Sequence, residues 1–296
     1  MSVTKTLMGA TAVAAALTIA ASASAGTSKA YHMFRPTSFK DVATKVPPPA
    51  VDMNYYGGSV FTSVKLVSVI WNKDVLQNTK DQVPLFSAAL VDSTYVDQMK
   101  EYSTKGVVAI NGRKSTNQVI HRGTYIGQVQ LKPHNTSKML TDADVQKEIK
   151  QQITDGVLPP RDVNTLYMVY FPSDISINLD GSFSCSAFGA YHFATNDSKI
   201  AKKSNVFYSV EPECNSGFAF LTFAASHEYA EATTDNVPTP GSNPDFPQAW
   251  NDAAGFEVGD KCGGRGTLTS GAGTWTVTQY YLNSLHGCSV GNYTSP

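Results

Sequence analysis

Apolar positions change their period several times along this chain, and each change marks an element. Residues 60–71 are β-branched and apolar, which predicts a buried strand. Residues 82–102 read as helix, with Leu85, Ala89, Val96 and Met99 sharing one face and Asp92 interrupting it. Residues 118–131 alternate well enough for a strand. Thr141-Asp142-Ala143-Asp144 is a helix start with Thr141 as N-cap; Val145, Ile149 and Ile153 form the apolar stripe that follows, and Gly156 with Pro159-Pro160 stops it. Residues 165–171 are a strongly apolar strand, and 175–179, 188–193 and 206–210 are shorter ones. Residues 218–232 are apolar on almost every side and predict a buried helix. A Pro/Gly-rich loop at 237–247 and one tail strand at 275–282 complete the pattern. The order predicts an α/β fold: a mixed sheet packed on helices, the site-bearing helix after the sheet, and a small C-terminal subregion from about residue 236.

The N-terminal residues follow a different logic. Lys5 precedes a run of small apolar residues at 7–21, and Ala23-Ser24-Ala25 fits a cleavage site, so residues 1–25 read as a signal peptide. Residues 26–56 carry Pro47-Pro48-Pro49 and no periodicity, which suggests an arm or linker before a single domain at 57–296. No later apolar run is long enough to span a bilayer. The expectation is a secreted or periplasmic protein. A formal charge of −1 over 296 residues excludes the basic surface that nucleic acid or an anionic membrane would require.

In an oxidising compartment four cysteines suggest two disulfides, with three pairings open. Cys185–Cys214 and Cys262–Cys288 are expected, because each closes a local loop around a segment of chemical interest. No C-x-x-C pair is present to favour zinc thiolates.

That chemistry centres on His227-Glu228-Tyr229-Ala230-Glu231. On a helix His227 and Glu231 stand one turn apart on the same face, and Glu228 flanks them. An imidazole and a carboxylate so placed can share one ion while the adjacent carboxylate serves as base, the layout that zinc peptidases use as H-E-x-x-H. Here Glu replaces the second His. A hydrolytic site needs a third ligand; Asp260 is the first choice and Glu257 the second, both in the acidic turn at 257–262. His192 is a further candidate, either as ligand or as a contact to a substrate oxyanion. Zinc is the expected ion, with calcium the alternative because carboxylates outnumber imidazoles. Trp250 reads as packing, and His32, His121 and His134 as ordinary histidines without paired acids. Asp235, at the end of the helix, is a candidate partner for His227. No G-x-S-x-G elbow or phosphate-binding glycine loop is present.

Gly57-Gly58-Ser59-Val60, then Cys185-Ser186-Ala187-Phe188-Gly189-Ala190-Tyr191-His192, then Ser226-His227-Glu228-Tyr229-Ala230-Glu231-Ala232-Thr233-Thr234-Asp235, together with the 257–262 turn and the closing Cys288, form a series over most of the chain. It is similar to the exordium/phosphate-induced protein family and its bacterial secreted relatives. The resemblance implies an extracellular protein. For the bacterial branch it implies a zincin-like metallopeptidase acting on protein or peptide, with His227, Glu228 and Glu231 on the motif. The plant members carry no settled activity, so a non-catalytic extracellular protein with a structural ion, or none, is the rival expectation. One departure is Gly189, which stands where relatives often carry a second Cys and so favours pairing Cys185 with Cys214.

Overall fold

The computed structural model describes residue 34 and residues 51–195, 205–238 and 245–290. The expected leader lies outside the described residues. In chain order the elements are β1 (Asn54–Tyr55), β2 (Ser63–Ile70), α1 (Gln77–Val91), α2 (Thr94–Asp97), β3 (His121–Gln130), β4 (Met139–Thr141), α3 (Asp142–Thr154), β5 (Thr165–Phe171), β6 (Ser176–Leu179), β7 (Ser182–Phe183), β8 (Tyr191–Ala194), β9 (Phe207–Pro212), α4 (Phe218–Thr234), β10 (Trp250–Asn251), β11 (Arg265–Ser270), β12 (Gly273–Thr278), β13 (Tyr280–Leu282) and β14 (Gly287–Ser289).

The architecture is mixed α/β. A five-stranded sheet runs β3-β2-β5-β9-β8, parallel except for the antiparallel edge strand β8. Its central strands are buried on both faces, which is why 60–71 and 165–171 read as continuous apolar runs instead of alternating ones. Period two sorts their side chains. Leu66, Ile70, Leu166, Met168 and Phe207 face α1, α4 and the C-terminal strands. Val67, Val69, Tyr167, Val169, Phe171, Tyr208 and Val210 face α3 and the small β4-β6-β7 sheet. Thr141 caps α3 through a full capping box with Asp144, as its sequence predicts.

Three expectations need correcting. The 82–102 segment is not one helix: α1 starts earlier and ends at Asp92, the residue that interrupts its stripe, and a short turn and a 3₁₀ segment (Gln98–Tyr102) follow. The buried face of α1 is Val83, Phe86 and Leu90, while Leu85 is exposed, because the helix begins near Leu76 and its phase is set by the sheet beneath it. The arm expected to reach residue 56 already belongs to the body at Met53: Met53, Tyr55 and Tyr56 are buried, and β1 pairs with β10. The tail also holds a β11–β12 hairpin where one strand at 275–282 was expected; its turn signal is Gly271-Ala272-Gly273 between two alternating segments.

Both expected disulfides form. Cys185–Cys214 ties the loop before β8 to the loop before α4, and Cys262–Cys288 ties the acidic turn to β14. Among the described residues no helix is long and apolar enough to cross a membrane.

Candidate metal centre

Helix α4 is buried from Phe220 to Thr234, wrapped by the sheet, α1 and the β11–β12 hairpin. An apolar helix in that position satisfies its own backbone and fills the core. The polar side chains it carries are therefore the exception: His227, Glu228 and Glu231 are almost completely removed from solvent. Each buried carboxylate costs several kcal/mol in order-of-magnitude terms unless a cation or proton compensates it.

Three other elements converge on this stretch. Alternation on β9 aims Phe207, Ser209 and Glu211 at α4. Strand β8 is paired so that His192 sits opposite Ser209, which turns its ring to the same side. The turn after β10 brings Glu257 and Asp260. It is pinned from three directions: Asp252 accepts hydrogen bonds from the backbone N–H groups of Ala254 and Phe256, the Lys261 ammonium donates to Asp252 at 3.0 Å, and the backbone N–H of Tyr281 donates to the Val258 carbonyl. Lys261, a buried cation close to the acids, is thus held by Asp252.

His227 Nε2 lies 2.9 Å from Glu231 Oε1 and 3.7 Å from Asp260 Oδ1. The Asp260 backbone N–H donates to Glu231 Oε1 at 3.0 Å, which joins helix and turn directly. His227, Glu231 and Asp260 each offer one ligand atom within 4.8 Å of the others, and so do His192, Glu228 and Glu231. The first trio is the more open one, since the Asp260 side chain is 18% exposed while those of His192, Glu228 and Glu231 are within 1% of full burial. The donors suit a divalent ion on physical grounds as well. Neither ring nitrogen of His227 makes a well-aligned hydrogen bond, and Glu231 Oε2 has no hydrogen-bond partner.

His192 belongs to the second trio. Its Nδ1 is 3.1 Å from Glu228 Oε2, and its Nε2 is 3.2 Å from the Asp235 carbonyl oxygen and 3.6 Å from Glu257 Oε1. The carbonyl can only accept, so Nε2 carries hydrogen, and a proton must then lie between Nδ1 and the Glu228 carboxyl. Both nitrogens of this buried ring thus face protein oxygens. Glu257 stands on the Nε2 side of that ring. Asp235 meets His192 through its backbone carbonyl. Trp250 packs against Tyr55 and Tyr102.

The titration of these groups follows from burial and charge. Burial disfavours the charged His227 ring, but Glu231 and Asp260 outweigh it and hold its pKa well above the ordinary imidazole value. Burial raises Glu231, against the lowering effect of His227. Burial, with the field of Glu231 and Asp235, pushes Glu257 well up, and burial with the charge of Glu228 does the same for Glu211. Glu211 escaped the sequence reading. Its signal is a Glu inside a strand whose other members are apolar or small.

Gly259 sets how closely the turn can approach. A Cβ there would stand 2.7 Å from His227 Nδ1 and 2.9 Å from Glu231 Oε1. Gly259→Ala is expected to cost about 1–3 kcal/mol of stability through overpacking; denaturant unfolding checks it. Unchanged stability would mean that the turn does not press on His227 and Glu231.

No protein-family model matches this chain, and no curated protein matches it.

Proposed function

We propose that the protein is a secreted, zincin-like metal-dependent hydrolase, a peptidase whose ion is held by His227, Glu231 and Asp260. The observation that carries the reading is the meeting of the His227–Glu231 pair, one helical turn apart, with Asp260 from a distant turn. A divalent zinc ion held there would act as a Lewis acid and lower the pKa of water to about 7. Glu228 is the base: it takes the proton of the attacking water and delivers it to the leaving amine nitrogen. Its carboxylate belongs to the trio that also contains Glu231, so it stands beside the ligand set. His192 positions Glu228 through Nδ1, and the Asp235 carbonyl fixes the ring in turn. Exclusion of water around α4 strengthens each of these interactions. The two disulfides accord with an oxidising compartment.

The test is metal analysis of the full protein, wild type beside His227→Ala, combined with casein hydrolysis. One equivalent of zinc in wild type, little in the variant, and chelator-sensitive cleavage are the expected outcomes. Calcium in place of zinc, or an ion that raises the melting temperature with no cleavage of any peptide, would instead establish a structural centre.

A further inference from the structure

Phe34 is the one described residue before Val51, and it lies at the proposed centre. Its backbone N–H donates to the Ala190 carbonyl at 3.0 Å, and its own carbonyl accepts from the Gly189 N–H at 2.8 Å. This is an antiparallel bridge beside β8, the edge strand that carries His192. The Phe34 ring is buried. It stands edge-on to Phe223 at 5.1 Å and tilted over the His227 imidazole at 4.8 Å between centroids. With Phe220, Ala190 and Ala224 it makes a small apolar cluster separate from the two main cores. Gly189 makes the room: a Cβ there would meet the Phe34 ring at 2.9 Å and the Phe220 ring at 2.8 Å.

An extended segment paired to a free sheet edge, with one large side chain sunk in a pocket, is how peptides are bound by strand addition. A ring in contact with His227 lies where the residue beside a scissile bond would lie. We infer that the pocket of Gly189, Ala190, Phe220, Phe223 and Ala224 receives an aromatic side chain of an extended peptide substrate, and that Phe34 fills it in the intact chain as an internal stand-in. The choice of ligand rests on the peptidase reading. The substrate class is a peptide carrying Phe or a residue of like shape, and the protein with Phe34 in place is self-blocked.

The experiment uses the full chain with Phe34→Gly, and N-acetyl-phenylalaninamide and N-acetyl-alaninamide as probes in calorimetric titration. The variant is expected to bind the phenylalanine amide at least tenfold more tightly than wild type does, and at least tenfold more tightly than it binds the alanine amide. Adding Gly189→Val is expected to remove that binding. Phe34→Leu keeps the pocket filled and should behave as wild type; Phe34→Ala provides the same comparison if the glycine variant does not fold. Equal affinity in wild type and the emptied variants, or binding that survives Gly189→Val, overturns the inference. Zinc content of the same samples is read separately, so a failure of the metal reading and a failure of the pocket are told apart.

Discussion

Glu228→Gln is expected to reduce peptide hydrolysis by about 10²- to 10⁴-fold while zinc content stays at the wild-type level. The substitution is nearly isosteric, and the amide can serve His192 in either tautomer: its oxygen accepts from a protonated Nδ1 at the 3.1 Å position of Glu228 Oε2, and its nitrogen donates to a bare one. What it cannot do is accept the proton of the attacking water. The contrast with Glu228→Ala sharpens the argument. Alanine opens a hole in a fully buried helix and strands His192, so its loss of activity would come with a loss of stability. Turnover, zinc content and melting temperature measured together separate the two cases. Retained turnover in Glu228→Gln would reject the assigned base, and loss of zinc in that variant would make Glu228 a ligand.

How far the chain disclosed this centre depends on how local each signal is. The His227–Glu231 pair is readable because helical period fixes where both side chains point, and the apolar residues around them mark α4 as buried. The acidic turn is readable as a ligand source but not in detail. Asp260 and Glu257 are three residues apart, and only the fold around Gly259 sends one to His227 and the other to His192. The orientation of His192 depends on the register of β8 against β9, a long-range pairing that no short window contains. Glu211 depends on the same sheet: alternation puts it on the α4 side, but which side that is follows from the crossover order. The phase of α1 failed for a related reason. Its start near Leu76 lacks a side-chain cap, so nothing local fixes its first turn. Phe34 lies in a segment without periodicity, and its burial comes from a pocket assembled by residues more than a hundred and fifty positions away.

The metal-free protein is expected to lose stability as pH rises, and zinc is expected to restore it most at high pH. Glu211, Glu257 and Glu231 have pKa values raised by burial, and His227 is raised by its carboxylate neighbours against burial. Groups with raised folded-state pKa values bind protons more tightly folded than unfolded. Their contribution is complete below the unfolded values, about 4.3 for Glu and 6.5 for His, and is lost as pH climbs through the folded ones. The chelator-treated protein should therefore melt at progressively lower temperature from about pH 5 upward, with the carboxyl groups acting first and His227 adding its share above about pH 6.5. A divalent ion takes the place of those protons, so its binding releases them and strengthens with pH. At a hundredfold excess over its dissociation constant zinc contributes about 2.7 kcal/mol, which for a domain of this size is a rise of about 5–10 °C. Melting curves at pH 5.5 and 8.5, with chelator and with zinc, give the comparison. A small zinc effect at the lower pH and the full effect at the higher one is the expected result. A zinc shift of equal size at both, or a metal-free protein that gains stability with pH, would mean that the buried acids around α4 are compensated by something other than protons and a metal ion.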